Sequence, residues 1–99
     1  MRKVAIVSPL RTPVGKFGGS LRNVSAAELG SIVIKEIINR NSIDGELIDE
    51  VILGNGCPSG EAPAIGRLSA LKAGLPIEVP GYQIDRRCSS GLQAILNAC

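Results

Sequence analysis

Residues 82–96, YQIDRRCSSGLQAIL, contain the change from strand to helix that decides the fold. Residues 82–84 suit a short β-strand, and Asp85 to Cys88 form a polar turn. After Cys88 the apolar side chains recur at the i, i+3, i+4, i+7 spacing of one helix face: Leu92, Ile95, Leu96 and Cys99. The stretch therefore predicts a strand, a turn that carries Cys88, and a helix with one apolar face.

The same change from strand to helix occurs earlier in the chain. Residues 4–7, VAIV, are a continuous apolar run that predicts a buried strand. Ser25 and Glu28 then form the S-x-x-E capping box that marks a helix start. Apolar residues follow Glu28 at helical spacing, and residues 39–45 end the helix. This is the clearest helix that the sequence predicts.

A second unit of strand and helix lies between these two. Residues 50–53, EVIL, predict a strand that leads into a glycine-rich loop. Pro63 suits the first turn of a helix, and Gly74 and Pro76 suit its end. The complete order is β-α-β-α-β-α, and crossovers of this length require parallel strands with right-handed connections. We therefore predict an α/β fold with parallel strands and helices on the faces of the sheet.

Composition excludes several classes of function. The 99 residues are 44% hydrophobic and 20% charged, with a net charge of +2 that forms no block beyond Arg86-Arg87. No nucleic-acid partner is expected, because the chain has no basic stripe. The run at 4–7 is too short for a signal peptide or a membrane span, so we expect a cytoplasmic protein with no membrane partner. Three cysteines without C-x-x-C spacing and no histidine leave no plausible metal site.

Two glycine-rich loops have possible phosphate-binding interpretations. Gly15-Lys16 is followed by Phe17, which does not fit a P-loop. The run GNGCPSG at 54–60 has glycines placed as in some dinucleotide-binding turns. Pro58 in this run and Glu61 at the following helix start disfavour a pyrophosphate there. The sequence therefore favours structural loops at both places.

Cys88 has two interpretations. Its place before a helix start offers free N–H groups and the positive end of a helix dipole, which favour a nucleophilic thiolate. Arg86 and Arg87 could add positive charge, and Gly91 would allow another segment to approach closely. A lone cysteine is otherwise often a small buried residue, and the chain has no histidine to act as its base. Local chemistry leaves both interpretations open, and we expect Cys57 and Cys99 to be buried or half-buried.

Four motifs, in this order and spacing, resemble the amino-terminal part of the thiolase family: RTPVGKFGGSL at 11–21, IDEVILGN at 48–55, ALKAGLP at 70–76 and IDRRCSSGLQAI at 84–95. The resemblance extends from Val4 to Cys99. It implies a layered fold of two similar halves, of which residues 1–99 are part of the first. The amino-terminal domain would then be incomplete here, since the chain ends inside the helix that follows Cys88.

The resemblance also implies an activity. Cys88 matches the cysteine that takes an acyl group from acyl-CoA as a thioester, and its N–H would form part of an oxyanion hole. Members of the family are acyltransferases of fatty acid metabolism that condense two acetyl-CoA molecules to acetoacetyl-CoA, or cleave 3-ketoacyl-CoA with CoA. Coenzyme A thioesters are their substrates, with no permanently bound cofactor. They are homodimers or homotetramers, and the strand around 81–84 lies at the dimer interface.

The resemblance has limits. The family usually has another sequence where this chain has GEAPAIGRLSAL at 60–71, so Glu61, Ala62 and Ile65 are unusual. The family's activating histidines, second catalytic cysteine and CoA-binding loop lie beyond position 99, so we expect the 99-residue chain alone to be inactive. Two alternatives stay open: a segment of a ketoacyl-synthase-like condensing enzyme, and a non-catalytic interaction fragment that pairs through a sheet edge.

Overall fold

The computed structural model describes residues 2–99, which contain three α-helices and two β-strands. The elements in chain order are α1 (Ala26–Asn41), β1 (Val51–Gly54), α2 (Ile65–Lys72), β2 (Gly81–Ile84) and α3 (Ser90–Ala98). Two single 3₁₀ turns, Gly45–Leu47 and Arg87–Ser89, precede β1 and α3. No helix in the described part of the chain has the length and apolar character needed to cross a membrane.

Strands β1 and β2 form a parallel pair, with Val51 opposite Gly81 and Gly54 opposite Ile84. Helix α2 connects the two strands and packs on them, while α1 packs on α2 and α3 packs mainly on β1. A parallel pair needs such a crossover, because a short turn can join only antiparallel strands. The predicted α/β class with parallel strands is confirmed.

The predicted strand at residues 4–7 is wrong. Val4 is 53% exposed and Ile6 is 74% exposed, and no strand is assigned before residue 51 within residues 2–99. The segment is anchored instead by Ser8, whose Oγ donates a hydrogen bond to Asn41 Oδ1 at 2.8 Å, at the end of α1. A β-branched run becomes a strand only where a neighbour supplies hydrogen bonds and covers its side chains. Among the described residues, no strand does this.

The start of α1 was predicted correctly. The Ser25 Oγ accepts a hydrogen bond from the Glu28 N–H at 3.2 Å, and the Glu28 carboxylate accepts one from the Ser25 N–H at 2.8 Å. This capping box satisfies two backbone donors that a helix end leaves free. At the other end, Ser42 adopts a left-handed conformation, with φ of 50°, and its N–H donates to carbonyl oxygens of the last helical turn. Local sequence alone therefore defines both ends of α1.

The capping box makes stability depend on pH. The hydrogen bond from the Ser25 backbone N–H, followed by the one to its side chain, lowers the pKa of Glu28 below its usual value of 4.5. A lowered pKa means that this stabilisation is present above the unfolded-state pKa and is lost as the pH falls through the folded-state value. Between about pH 5 and pH 3, we expect the free energy of unfolding of the Glu28→Gln variant to fall by less than that of the parent chain. Urea denaturation at each pH, monitored by circular dichroism, measures both free energies. An equal fall in the two proteins would mean that the Glu28 capping bond does not cause the pH dependence.

Small side chains dominate the core and let the elements approach closely. The main cluster contains Val51, Ala70, Leu75 and Val79, with Ile34 and Ile38 of α1 packed against it. Gly66 of α2 lies directly on β2, because a Cβ there would overlap the Tyr82 carbonyl oxygen. The Gly66 N–H also donates a hydrogen bond to Gln83 Oε1 at 3.2 Å. Helix α2 thus touches the backbone of the strand that leads to Cys88.

Helix α3 was predicted in the right place, but its apolar face is not the face that packs on the sheet. Ser90 and Ala94 are buried, whereas Leu92 is 63% exposed and Leu96 is 57% exposed. The reason is the close packing of the first turn on β1, where a Cβ on Gly54 would lie 2.5 Å from the Gly91 nitrogen. Only small residues fit such a contact, so the larger apolar residues turn away from the sheet.

Candidate active site

Cys88 lies in the 3₁₀ turn Arg87–Ser89, between the end of β2 and the start of α3. The residue is exposed, so it is not the small buried residue that local chemistry had left possible. An exposed thiol at the junction of a strand and a helix resembles the nucleophile turns of acyl-transferring enzymes. The exposed position suits a nucleophile, because a substrate that binds outside this part of the chain can reach the sulfur.

The predicted burial of Cys57 and Cys99 is wrong, because both are exposed. Cys57 lies in the loop between β1 and α2, and Cys99 follows the last residue of α3. Neither position is covered by a packed element, so the general preference of cysteine for the interior does not apply. Exposure alone therefore does not distinguish Cys88 from the other two thiols. The backbone conformation and hydrogen bonds around Cys88 make the distinction.

The residue before Cys88 has an unusual backbone conformation. Arg87 has φ of 51°, in the left-handed region that side-chain-bearing residues seldom adopt. Its N–H donates to Asp85 Oδ1 at 2.9 Å, and its guanidinium donates to Asp85 Oδ2 at 2.7 Å and to the Gly56 carbonyl oxygen at 2.8 Å. Such a conformation costs on the order of 1–3 kcal/mol and persists only where its surroundings hold it. The contacts of Arg87 supply that support.

Ser90 supports the same turn from the other side. The residue is only 4% exposed, and its Oγ accepts a hydrogen bond from the Arg86 N–H at 2.9 Å. The same hydroxyl donates to the Arg87 carbonyl oxygen at 2.6 Å. The Arg86 carbonyl oxygen accepts a bond from the Ser89 N–H at 3.0 Å. Both residues before Cys88 therefore have all of their backbone N–H and C=O groups paired.

The N–H of Cys88 itself is available. Within residues 2–99, no group accepts a hydrogen bond from it, although the neighbouring N–H groups of Arg87 and Ser89 are both paired. A free N–H beside a nucleophile can stabilise the negative oxygen that forms when the sulfur attacks a carbonyl carbon. The geometry thus combines an exposed nucleophile with a donor for an oxyanion.

Gly54, the last residue of β1, and Gly56, in the loop that follows, lie directly against the backbone of the Cys88 turn and the start of α3. A Cβ on Gly54 would lie 2.5 Å from the Gly91 nitrogen, and a Cβ on Gly56 would lie 2.6 Å from the Arg87 carbonyl oxygen. The missing side chains therefore make room for protein backbone, which favours the structural interpretation of the GNGCPSG run over a dinucleotide-binding turn. The close approach expected at Gly91 is real, but Gly54 is the partner that must be glycine, since the Cβ position of Gly91 is open.

Both guanidinium groups near Cys88 have hydrogen-bond partners, and Arg87 alone is paired with an opposite charge among residues 2–99. Arg87 binds Asp85, and Arg86 Nη1 donates to Gln93 Oε1 at 2.5 Å. The guanidinium groups thus stabilise the turn and the start of α3 through contacts with other groups. The part of the chain that the structure describes has no cluster of three metal-ligating side chains, and the sequence contains no histidine.

Sequence reasoning identified Cys88 but missed the residues that hold its turn. Asp85 and Ser90 looked like ordinary polar residues, and Gly54 and Gly56 were assigned to a structural loop without any expected contact with the Cys88 turn. One available signal was glycine at the end of a strand, which often marks a close approach of another backbone. Most bonds of the turn join residues two to four positions apart, and only the bond from Arg87 to the Gly56 carbonyl oxygen joins distant segments. The sequence does not show which of several polar side chains makes such bonds.

Comparison with known proteins agrees with this geometry. The family model described as "Thiolase, N-terminal domain" matches residues 4–99. Acetyl-CoA acetyltransferases from Synechocystis and Cupriavidus necator are 45% and 46% identical to the chain over 98 residues, which are 99% of the chain. The chain spans 25% of the length of each of these two relatives.

Solved structures show the same relationship. The acetyl-CoA acetyltransferase of Bacillus anthracis superposes with a TM-score of 0.84 at 44% identity, over 90% of this chain and 23% of that protein. A thiolase from Ascaris suum, solved in complex with coenzyme A, has the same TM-score at 32% identity, with the same coverage of both chains. The matched family model, the identities and the shared fold show that the chain belongs to the thiolase family and matches its amino-terminal domain.

Proposed function

We propose that this chain supplies the acyl-accepting cysteine of an acetyl-CoA acetyltransferase, and that Cys88 is that residue. The observation that carries the proposal is the turn itself, where an exposed thiol lies beside its own N–H, which has no partner among residues 2–99. The relatives named acetyl-CoA acetyltransferase support acetyl-CoA as the acyl donor. Their names also favour CoA thioesters over the carrier-protein thioesters of ketoacyl synthases.

In the first step the sulfur of Cys88 attacks the carbonyl carbon of acetyl-CoA. A new carbon–sulfur bond forms, and the negative charge on the carbonyl oxygen is stabilised by the Cys88 N–H. The bond to the CoA sulfur then breaks, and CoA leaves with the proton that the thiol has given up. The acetyl group stays on Cys88 as a thioester, so an acyl group is transferred without any change in oxidation state.

In the second step a carbanion, formed when a proton is removed from another acetyl-CoA, attacks the carbonyl carbon of this thioester. A carbon–carbon bond forms, the bond to the Cys88 sulfur breaks, and acetoacetyl-CoA leaves while the sulfur regains a proton. Thiolysis of a 3-ketoacyl-CoA is the reverse reaction at the same sulfur. Both directions need a base and a group that removes a proton from the second substrate. The 99 residues contain no histidine for the first role, so we assign both roles to groups outside this sequence. Coenzyme A enters as a substrate in this scheme, with no resident cofactor.

The proposal extends to the setting of the enzyme. We infer a homodimer or homotetramer that acts in fatty acid metabolism, as the family resemblance implies, and we infer a cytoplasmic location from the cysteine pattern and the short first apolar run. Within residues 2–99, strand β2 pairs only with β1, which leaves its other edge free. A free edge at Gly81–Ile84 supports a subunit contact there, because unpaired strand edges pair readily with another chain.

A hybrid enzyme tests the proposed function. In the hybrid, this chain replaces the matching amino-terminal quarter of the Cupriavidus necator acetyl-CoA acetyltransferase. We expect the hybrid to cleave acetoacetyl-CoA with CoA, and we expect the 99-residue chain alone to show no turnover. Loss of the acetoacetyl-CoA absorbance measures both, with the intact relative as the positive control. A folded hybrid without activity, or turnover by the isolated chain, would contradict the proposal.

A further inference from the structure

We propose that Ser90 is a positioning residue for Cys88, and that its buried hydroxyl clamps the backbone on which the reacting sulfur is carried. The inference rests on the proposed function, since positioning matters only if Cys88 takes the acyl group. Ser90 lies at the start of α3, yet both of its side-chain hydrogen bonds go back across the turn, to Arg86 and Arg87.

The direction of these bonds distinguishes Ser90 from a helix-capping residue. A capping side chain would bond to N–H groups further along its own helix, and neither Ser89 nor Ser90 does so for α3. The Ser90 hydroxyl accepts from the Arg86 N–H and donates to the Arg87 carbonyl oxygen. The hydroxyl therefore connects the Arg86 N–H and the Arg87 carbonyl oxygen to the start of α3.

The clamp acts on the least favourable backbone conformation of the turn. Arg87 has φ of 51°, and a rotation there would swing Cys88 and its N–H together. Asp85 holds the Arg87 N–H at 2.9 Å, and Gly56 closes the space beside the Arg87 carbonyl oxygen. Ser90 is the buried member of this set, since Asp85, Arg86 and Arg87 are exposed. Without its hydroxyl, the Arg86 N–H would lose its partner.

Positioning of this kind should affect catalysis more than substrate binding. The sulfur and the oxyanion donor belong to the same residue, so one backbone movement displaces both from the carbonyl group that they must meet. A displacement of about 1 Å at a reacting group can cost on the order of a hundredfold in rate. A role limited to positioning Cys88 predicts no change in the affinity for CoA. A fall in kcat with little change in KM is therefore the expected signature.

The test compares two substitutions of nearly equal shape in the hybrid enzyme, Ser90→Thr and Ser90→Val. Threonine keeps the hydroxyl and valine lacks it. We expect Ser90→Val to lower kcat for thiolysis roughly tenfold or more, with KM for CoA within about twofold of the parent value, and Ser90→Thr to keep most of the activity. Amide hydrogen exchange at Arg86 should become faster in the valine variant alone. The matched control is Ser89→Ala, because the exposed Ser89 side chain makes no hydrogen bond within residues 2–99.

The outcomes separate this inference from the proposed function. An inactive hybrid with unmodified Ser90 counts against the proposed function itself. An active hybrid in which the valine and threonine variants have equal kcat values overturns the positioning role and leaves the proposed function standing. If the valine variant does not fold, Ser90→Ala takes its place, because it removes the same hydroxyl without adding atoms. A lowered kcat with unchanged KM supports the clamp, and an unchanged kcat overturns it.

Discussion

Replacement of Cys88 by alanine in the hybrid enzyme should reduce thiolysis of acetoacetyl-CoA by at least about a thousandfold, because no other group can form the thioester intermediate. The free energy of unfolding should change little, since the thiol is exposed and packs in no core cluster. A large loss of activity without a loss of stability is the result that separates a catalytic residue from a structural one.

The other two cysteines provide matched controls for this substitution. Cys57→Ala and Cys99→Ala remove exposed thiols from the same chain, and both variants should keep most of the activity. Rates of acetoacetyl-CoA cleavage, with circular dichroism to verify folding, measure all three variants. If Cys57→Ala abolished activity and Cys88→Ala did not, the assignment of the nucleophile would be wrong.

Gly54→Ala should destabilise the 99-residue chain by about 3 kcal/mol, because the new methyl group would force the first turn of α3 away from β1. The contact is between backbone atoms, with the Gly91 nitrogen 2.5 Å and the Ser90 carbonyl carbon 2.6 Å from the added Cβ. Backbone cannot move aside as a flexible side chain can, so the whole turn must shift. The shift would reach Cys88, and the same substitution should lower the activity of the hybrid.

Gly91→Ala is the matched control, since it adds a methyl group on the other side of the same contact. No atom lies within 4 Å of that position, and alanine is favoured over glycine in a helix by up to about 1 kcal/mol. We expect this variant to be as stable as the parent or slightly more stable. Urea denaturation gives the free energy of unfolding for both variants. Equal destabilisation by the two substitutions would mean that the close contact at Gly54 is not what holds α3.

The parts of the fold that local sequence determines were predicted well. The capping box at Ser25 and Glu28 depends on residues three positions apart, and it forms as expected. Strands β1 and β2 and their parallel pairing also follow from short apolar runs joined by a helical crossover. The turn that carries Cys88 was placed correctly because the strand pattern changes to a helical pattern on either side of it.

The failures all concern contacts between distant segments. Residues 4–7 have strong strand propensity, but nothing among the described residues pairs with them, so they form no strand and are exposed. The apolar side of α3 was assigned from spacing alone, yet the contact at Gly54 decides which side faces the sheet. The bond from the Arg87 guanidinium to the Gly56 carbonyl oxygen also joins segments that are far apart in sequence. None of these features has a local sequence signature.

The most direct test of the central claim is to locate the acyl group. The hybrid enzyme is incubated with acetyl-CoA carrying a labelled acetyl group, quenched in acid to preserve the thioester, and digested for mass spectrometry. We predict one labelled acetyl group on the peptide that contains Cys88, removed when unlabelled CoA is added before the quench. Label on Cys57 or Cys99, or an active enzyme that never carries label on Cys88, would contradict the account.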